Sequence, residues 1–185
     1  MSSRRKARET ALRVLYLCES RGISADEAFA EMAAIDREMD RRAGEPDVES
    51  LKPFALGITG EGLEYARALA RSIEASKEKF NGLIRPVLKN WELKRVARID
   101  RIILWIALAE MDLDYHDSKK DHDYHDLKKP PPAVAINEAI ELARKYSSHK
   151  SPGFVNGILD GIARNLNIIQ TPRDTDGVKK KIKKE

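Results

Sequence analysis

A single cysteine, Cys18, leaves the chain without an internal disulfide, so nothing in it requires an oxidising compartment. Cys18 falls among Ala7, Ala11, Val14 and Leu15 at helical spacing, and we read it as a packed small side chain in place of a reactive thiol. Long hydrophobic runs are missing as well. The longest, Ile102 to Ala109, is eight residues, against the roughly 20 that a bilayer-crossing helix needs. Arg13 and Glu19 interrupt the apolar residues after the basic start, so no secretory signal is visible. Catalytic signatures are absent too: there is no HExxH, no GxSxG and no paired CxxC, and Gly57, Gly60 and Gly62 form neither GxGxxG nor a P-loop. The expectation is a protein that is not an enzyme and holds no cofactor or metal. No stretch of alternating β-branched residues competes with the helical patterns, which makes the expected fold all-α, a bundle of about seven helices.

What the chain does have is charge placed at its ends. The net charge of +4 is modest. The first 21 residues alone carry +4 and the last 15 carry +3, which leaves −3 for everything between. Such asymmetry points to polyanion contact at defined places. Arg4, Arg5, Lys6 and Arg8 crowd the start of the first helix, where free backbone N–H groups add positive partial charge. They are candidate phosphate contacts, which supply affinity, whereas aromatic faces and amide edges select bases.

The helical pattern can be followed along the chain. The first helix is expected over Ser3 to Ser20 with Gly22 as its stop, and Ser24 with Glu27 forms a capping box for a second through Ala28, Met32 and Ile35. Residues 41–50 make a linker. The pattern is helical from Val48 to Phe80, where Gly57, Gly60 and Gly62 imply a kink or a close helix crossing. A short helix around Phe80 to Leu88 and an apolar one from Leu93 to Leu113 follow, the latter hydrophobic on most of its circumference and therefore central. Segment 114–129 repeats DYHDSKK as DYHDLKK. His116, His122 and His125 stand there among aspartates, without the spacing of a zinc signature. The simpler reading is a solvated loop. The lysine-rich tail 171–185 has too few apolar residues to fold alone and is expected to be a disordered, basic appendage to a domain spanning 1–170.

The richest segment is Pro130 to Leu166. Proline punctuates the entry to a helix over Ala133 to Tyr146, on which Ile136, Ala139, Ile140 and Ala143 form one stripe. After Ser147, Ser151 is placed to cap another helix, with Pro152 in its first turn and Phe154, Val155, Ile158, Leu159 and Ile162 on its core face. His149 and Lys150 occupy the corner between the two.

INEAIELARKY followed by FVNGILD resembles the C-terminal signature of the NusB family of transcription antitermination factors. RRKARETALRVLY is similar to that family's basic opening helix, and the segment from Leu93 through Arg95, Asp100, Arg101 and Leu104 to Glu110 to its central helix. Trp105 and Ala109 stand where the pattern more often has an arginine and an aromatic. The 114–129 loop lengthens a connection that is short in the family. The resemblance implies two packed three-helix subdomains and a cytoplasmic protein. It also implies binding of boxA-type single-stranded RNA together with the ribosomal small-subunit protein NusE, in an antitermination complex with RNA polymerase that acts notably on ribosomal RNA operons. Arg4, Arg5, Lys6 and Arg8 would meet RNA on one side, with Lys150, Ser151 and Phe154 as a second wall. Tyr16 and Glu110 would meet the protein partner, and a homodimer through the same face is left open. The alternative is a helical protein-binding adaptor, or a domain like the one that precedes the catalytic part of some RNA cytosine methyltransferases, without catalysis.

Overall fold

The computed structural model describes residues 3–88, 92–111 and 130–168, all helices and turns with no strand among them. The duplicated 114–129 segment with its three histidines and the tail 171–185 lie outside the described residues. Helix α1 spans Ser3–Arg21 and α2 Ala25–Arg41. The turn between them follows from local chemistry. Gly22 takes a left-handed φ of +69° and its N–H returns to Cys18 O at 2.8 Å, which closes α1. Ser24 then caps α2 reciprocally with Glu27, the Glu27 carboxylate accepting from Ser24 N at 2.8 Å.

Helix α3 spans Gly60–Ile84. This departs from the continuous helical stretch expected from Val48: only a short 3-10 turn forms at Val48–Leu51, and the chain then runs irregularly to Gly60. Gly57 and Gly60 both adopt left-handed φ, +61° and +58°, which the interior of a right-handed helix does not accommodate, so α3 begins only at Gly60. Gly62 has a different reason. A Cβ there would stand 2.6 Å from Ser3 Oγ and 2.7 Å from Ile58 Cδ1, so the glycine lets the start of α1 cross closely. At its other end α3 runs through Phe80 to Ile84 without a break, which merges two of the expected helices.

Helix α4, Arg98–Met111, is the hub. Every residue from Ile102 to Met111 is buried, so the all-round apolar pattern did mark a central helix. Helices α5, Pro132–Tyr146, and α6, Ser151–Asn165, complete the set. α1, α2 and α3 pack on one another, α4, α5 and α6 do the same, and α4 joins the two trios by lying against α1 and α3.

Trp105, fully buried on α4, donates its indole N–H to Asn81 Oδ1 at 2.9 Å. The Lys77 ammonium and Arg101 guanidinium lie 5.1 and 5.3 Å from the centre of its ring. Asn81 is itself buried in α3, so the contact sets the register of α3 against α4. Asn81→Leu keeps the volume and removes the acceptor. It should lower stability by about 1–3 kcal/mol, the cost of an orphaned buried donor, in urea unfolding followed by tryptophan fluorescence. An unchanged midpoint would mean that the indole finds another acceptor.

Candidate nucleic-acid interface

The basic start of α1 does not project as a free brush of charge. One turn separates Arg5 from Arg8 in sequence register, and both reach Glu138 on α5: Arg5 Nη2 and Nε donate to its two carboxylate oxygens at 2.7 and 3.1 Å, and Arg8 Nη1 donates to Oε2 at 3.2 Å. Arg8 turns its Nε inward to Glu110 on α4, at 2.8 and 3.0 Å from the two oxygens. The Tyr65 hydroxyl of α3 donates to the same carboxylate. The order Glu110, Arg8, Glu138, Arg5 is thus a line of alternating charge from the core to the surface. Burial follows it. The inner pair is nearly inaccessible, with side chains 4% and 1% exposed, whereas Arg5 and Glu138 are 42% and 18% exposed.

Two sequence-based assignments are corrected by this arrangement. Arg8 was expected on the RNA surface and Glu110 on an exposed partner-binding face, but each retains only 3% of its accessible surface. The physical reason is mutual. Each side chain lies on the inward face of its helix and supplies the opposite charge that makes burial of the other tolerable. Burial pushes the Glu110 carboxyl up from its ordinary range, opposed by Arg8 and the Tyr65 hydrogen bond, and burial with Glu110 beside it pushes the Tyr65 phenol up as well. Glu138 moves the other way, held below the usual carboxylate range chiefly by the Arg5 hydrogen bonds.

The remaining basic residues of α1 divide by orientation. Lys6 is exposed and has no ion-pair partner among the described residues. The Arg4 guanidinium lies 5.2 Å over the Tyr65 ring. Arg13, overlooked in the sequence, ties α1 to the irregular segment before α3 by donating to the carbonyls of Pro53, Ala55 and Leu56 at 3.2, 2.6 and 2.8 Å.

The corner between α5 and α6 lies farther along the same seam. Glu9 accepts from Lys145 Nζ at 2.8 Å and from the Tyr146 hydroxyl at 3.0 Å, which stitches the end of α5 to α1. Lys150 is exposed beyond it. Ser151 is not the cap that the sequence suggested: it is the first residue of α6 and buried, and its hydroxyl donates to Asp100 Oδ2 at 2.9 Å. Pinning the corner to α4 takes the place of capping α6. Phe154 is half-buried against the core, and Asn156 stays local, its amide 3.5 Å from Asp160 one turn on. Tyr16 is 44% exposed on the outer face of α1, with the Arg98 guanidinium 5.6 Å from its ring centre. Of the nominated residues, Arg5, Lys6, Lys150 and Tyr16 are therefore surface groups and Arg8, Ser151 and Glu110 are buried. The sequence singled out neither Glu138 nor Tyr65, because their partners are remote in the chain. Cys18 is half-buried and its thiol is pushed up to about 11 by burial. Among the described residues no group of three or more acidic, histidine or cysteine side chains is arranged to hold a metal, and no helix is long and apolar enough to cross a membrane.

A model of the NusB family matches residues 5–119 and 123–164. The transcription antitermination protein NusB of Syntrophotalea carbinolica is 35% identical over 161 residues, 87% of this chain and 92% of that protein. Among solved structures, T. maritima NusB superposes with a TM-score of 0.57 at 26% identity, over 95% of this chain and 97% of that one. The same fold occurs in a crystal structure of the antitermination factors NusB and NusE in complex with dsRNA, with a TM-score of 0.58 at 24% identity over 89% and 98% of the two chains.

The two ends of the charged line should respond differently to truncation. Arg8→Ala leaves Glu110 buried without its cation and should destabilise by about 3–5 kcal/mol. Arg5→Ala, at the surface, should cost about 0–1 kcal/mol. Comparable losses in chemical denaturation would contradict this gradient. Because Glu138 titrates below its unfolded value, its contribution is complete above pH 4.5, the ordinary value, and disappears as pH falls through the lowered one. The stability difference between the wild type and Glu138→Gln should shrink over that acidic window, as measured by urea unfolding at a series of pH values.

Proposed function

The chain belongs to the NusB family, and from that membership we propose a non-enzymatic transcription antitermination factor that binds boxA-type single-stranded RNA together with the ribosomal protein NusE. In this reading it acts in the cytoplasm within an RNA polymerase complex and supports read-through, notably in ribosomal RNA operons. The observation that carries the proposal is the family match across both helical trios, combined with surface cations along the α1–α5 seam.

Arg5, Lys6 and Lys150 meet phosphates, where their charge contributes affinity through counterion release. Arg4 continues this surface at the start of α1. Arg8 acts indirectly by fixing the helix on which the others stand, and Ser151 by fixing the corner. The exposed part of Phe154 offers a stacking face for an unpaired base. Tyr16, with Arg98 beside it, is the contact assigned to NusE; in the absence of NusE the same face is available to a second copy of the chain. The segment 171–185 adds affinity for any RNA.

The test is binding of a short boxA-like RNA and a scrambled RNA, with and without NusE, at two salt concentrations. The boxA-like RNA should bind more tightly, and NusE should widen the gap. Arg5→Ala with Lys6→Ala should weaken binding and flatten the salt dependence, each phosphate contact on a single strand being worth a slope of about 0.7. Deleting residues 171–185 should weaken both RNAs alike. Equal binding of the two RNAs under every condition would overturn the proposal.

A further inference from the structure

We propose that Glu138 is a specificity-determining residue for RNA: it holds Arg5 in a closed latch that only a phosphate delivered along the correct path displaces. This rests on the RNA-binding reading of α1 and adds a regulator to that site.

Three observations carry it. The first is the edge that Arg5 presents. Its Nε and Nη2 both face the Glu138 carboxylate, at 3.1 and 2.7 Å, and this planar fork is the edge with which a guanidinium grips phosphate. Arg5 cannot give it to both anions at once.

The second is the gradient of burial. The Arg5–Glu138 pair is reached by water, with 42% and 18% of its side chains exposed, so exchanging one anion for another there costs little. The Arg8–Glu110 pair, at 4% and 1%, cannot open without leaving a buried charge unpaired. Only the outer link of the line is therefore free to exchange.

The third is the second partner of Glu138. Its Oε2 also accepts from Arg8 Nη1 at 3.2 Å, so the carboxylate stays anchored by one charge-assisted hydrogen bond when Arg5 leaves. α5 need not move. In the closed state Glu138 cancels Arg5 and lowers the positive field at the start of α1. A polyanion held loosely on Lys6 and Lys150 must compete with a carboxylate already in place, whereas an RNA whose bound path sets a phosphate against Arg5 gains one more contact. Discrimination follows from that difference.

Glu138→Gln removes the charge and keeps an oxygen that can accept from Arg8. Scrambled RNA should then bind more tightly by about fivefold or more, with its salt slope steeper by about 0.7, as for one added phosphate contact on a single strand. BoxA-like RNA should gain less, so the ratio between the two RNAs falls. Adding Arg5→Ala should return both RNAs to the level of Arg5→Ala alone. A melting temperature near that of the wild type guards against misfolding. A readout in the unmutated protein is independent of any variant: the Arg5 Nε–H resonance should shift when boxA-like RNA is added while that of Arg8 stays in place. Unchanged scrambled-RNA binding by Glu138→Gln, weaker binding of both RNAs, or an Arg5 resonance that RNA leaves unmoved would each overturn the latch. A wild type that binds neither RNA would instead overturn the RNA-binding reading itself, and the latch with it.

Discussion

A buried ion pair is tolerable only while both partners stay in place, and in this protein the Arg8–Glu110 pair imposes that condition on four helices at once. Arg8 comes from α1 and Glu110 from α4, the Tyr65 hydroxyl closes on Glu110 from α3, and Glu138 of α5 takes the other side of Arg8. Burying either charge alone would be severely unfavourable. The pair therefore specifies where the start of α1 sits relative to the central helix, a matter on which apolar packing alone is permissive. Every surface cation of α1 inherits its position from that anchor.

The same line of charge changes the meaning of the basic N-terminus. Four cations stand within the first two turns, yet Arg8 and Arg5 are matched by Glu110 and Glu138, and Arg4 lies over an aromatic ring. The field offered to a polyanion is weaker than the count of arginines implies. On the RNA-binding reading proposed above, such restraint favours selectivity, because phosphate contact supplies affinity without sequence information. On the same reading, selectivity then depends on where the backbone of the RNA runs and on what its unpaired bases meet at the corner between α5 and α6. That corner is itself held by a buried contact, Ser151 to Asp100, so both ends of the seam are referenced to α4.

Helix α4 also accounts for the departure at Trp105. The indole is enclosed, hydrogen-bonded to Asn81, and flanked by Lys77 and Arg101, which share Glu19 between them. A large apolar ring in this position is satisfied by one acceptor on α3 and by cations at its rim, an arrangement that gives the indole N–H a partner inside a hydrophobic hub.

The helices themselves were legible in the sequence because their causes are local. The Ser24 capping box, the stop at Gly22, the stripes of α5 and α6 and the apolar circumference of α4 all depend on residues within a few positions of one another. The resemblance of INEAIELARKY and FVNGILD to one family pointed to the same all-α arrangement. Local pattern failed where two backbone states compete: the glycines at 57 and 60 took left-handed φ, and the expected helix from Val48 became a turn and an irregular segment. It also failed for charge. Arg8, Glu110 and Ser151 look in sequence like exposed polar groups, since the partners that bury them lie 102 residues away for Arg8 with Glu110 and 51 for Ser151 with Asp100. Periodicity reports which face of a helix is apolar, and so the sequence by itself determined the helices and their core faces. Which cations remain at the surface to meet an anion was decided only by the tertiary structure, because ion pairing over such separations exists only after the chain has packed.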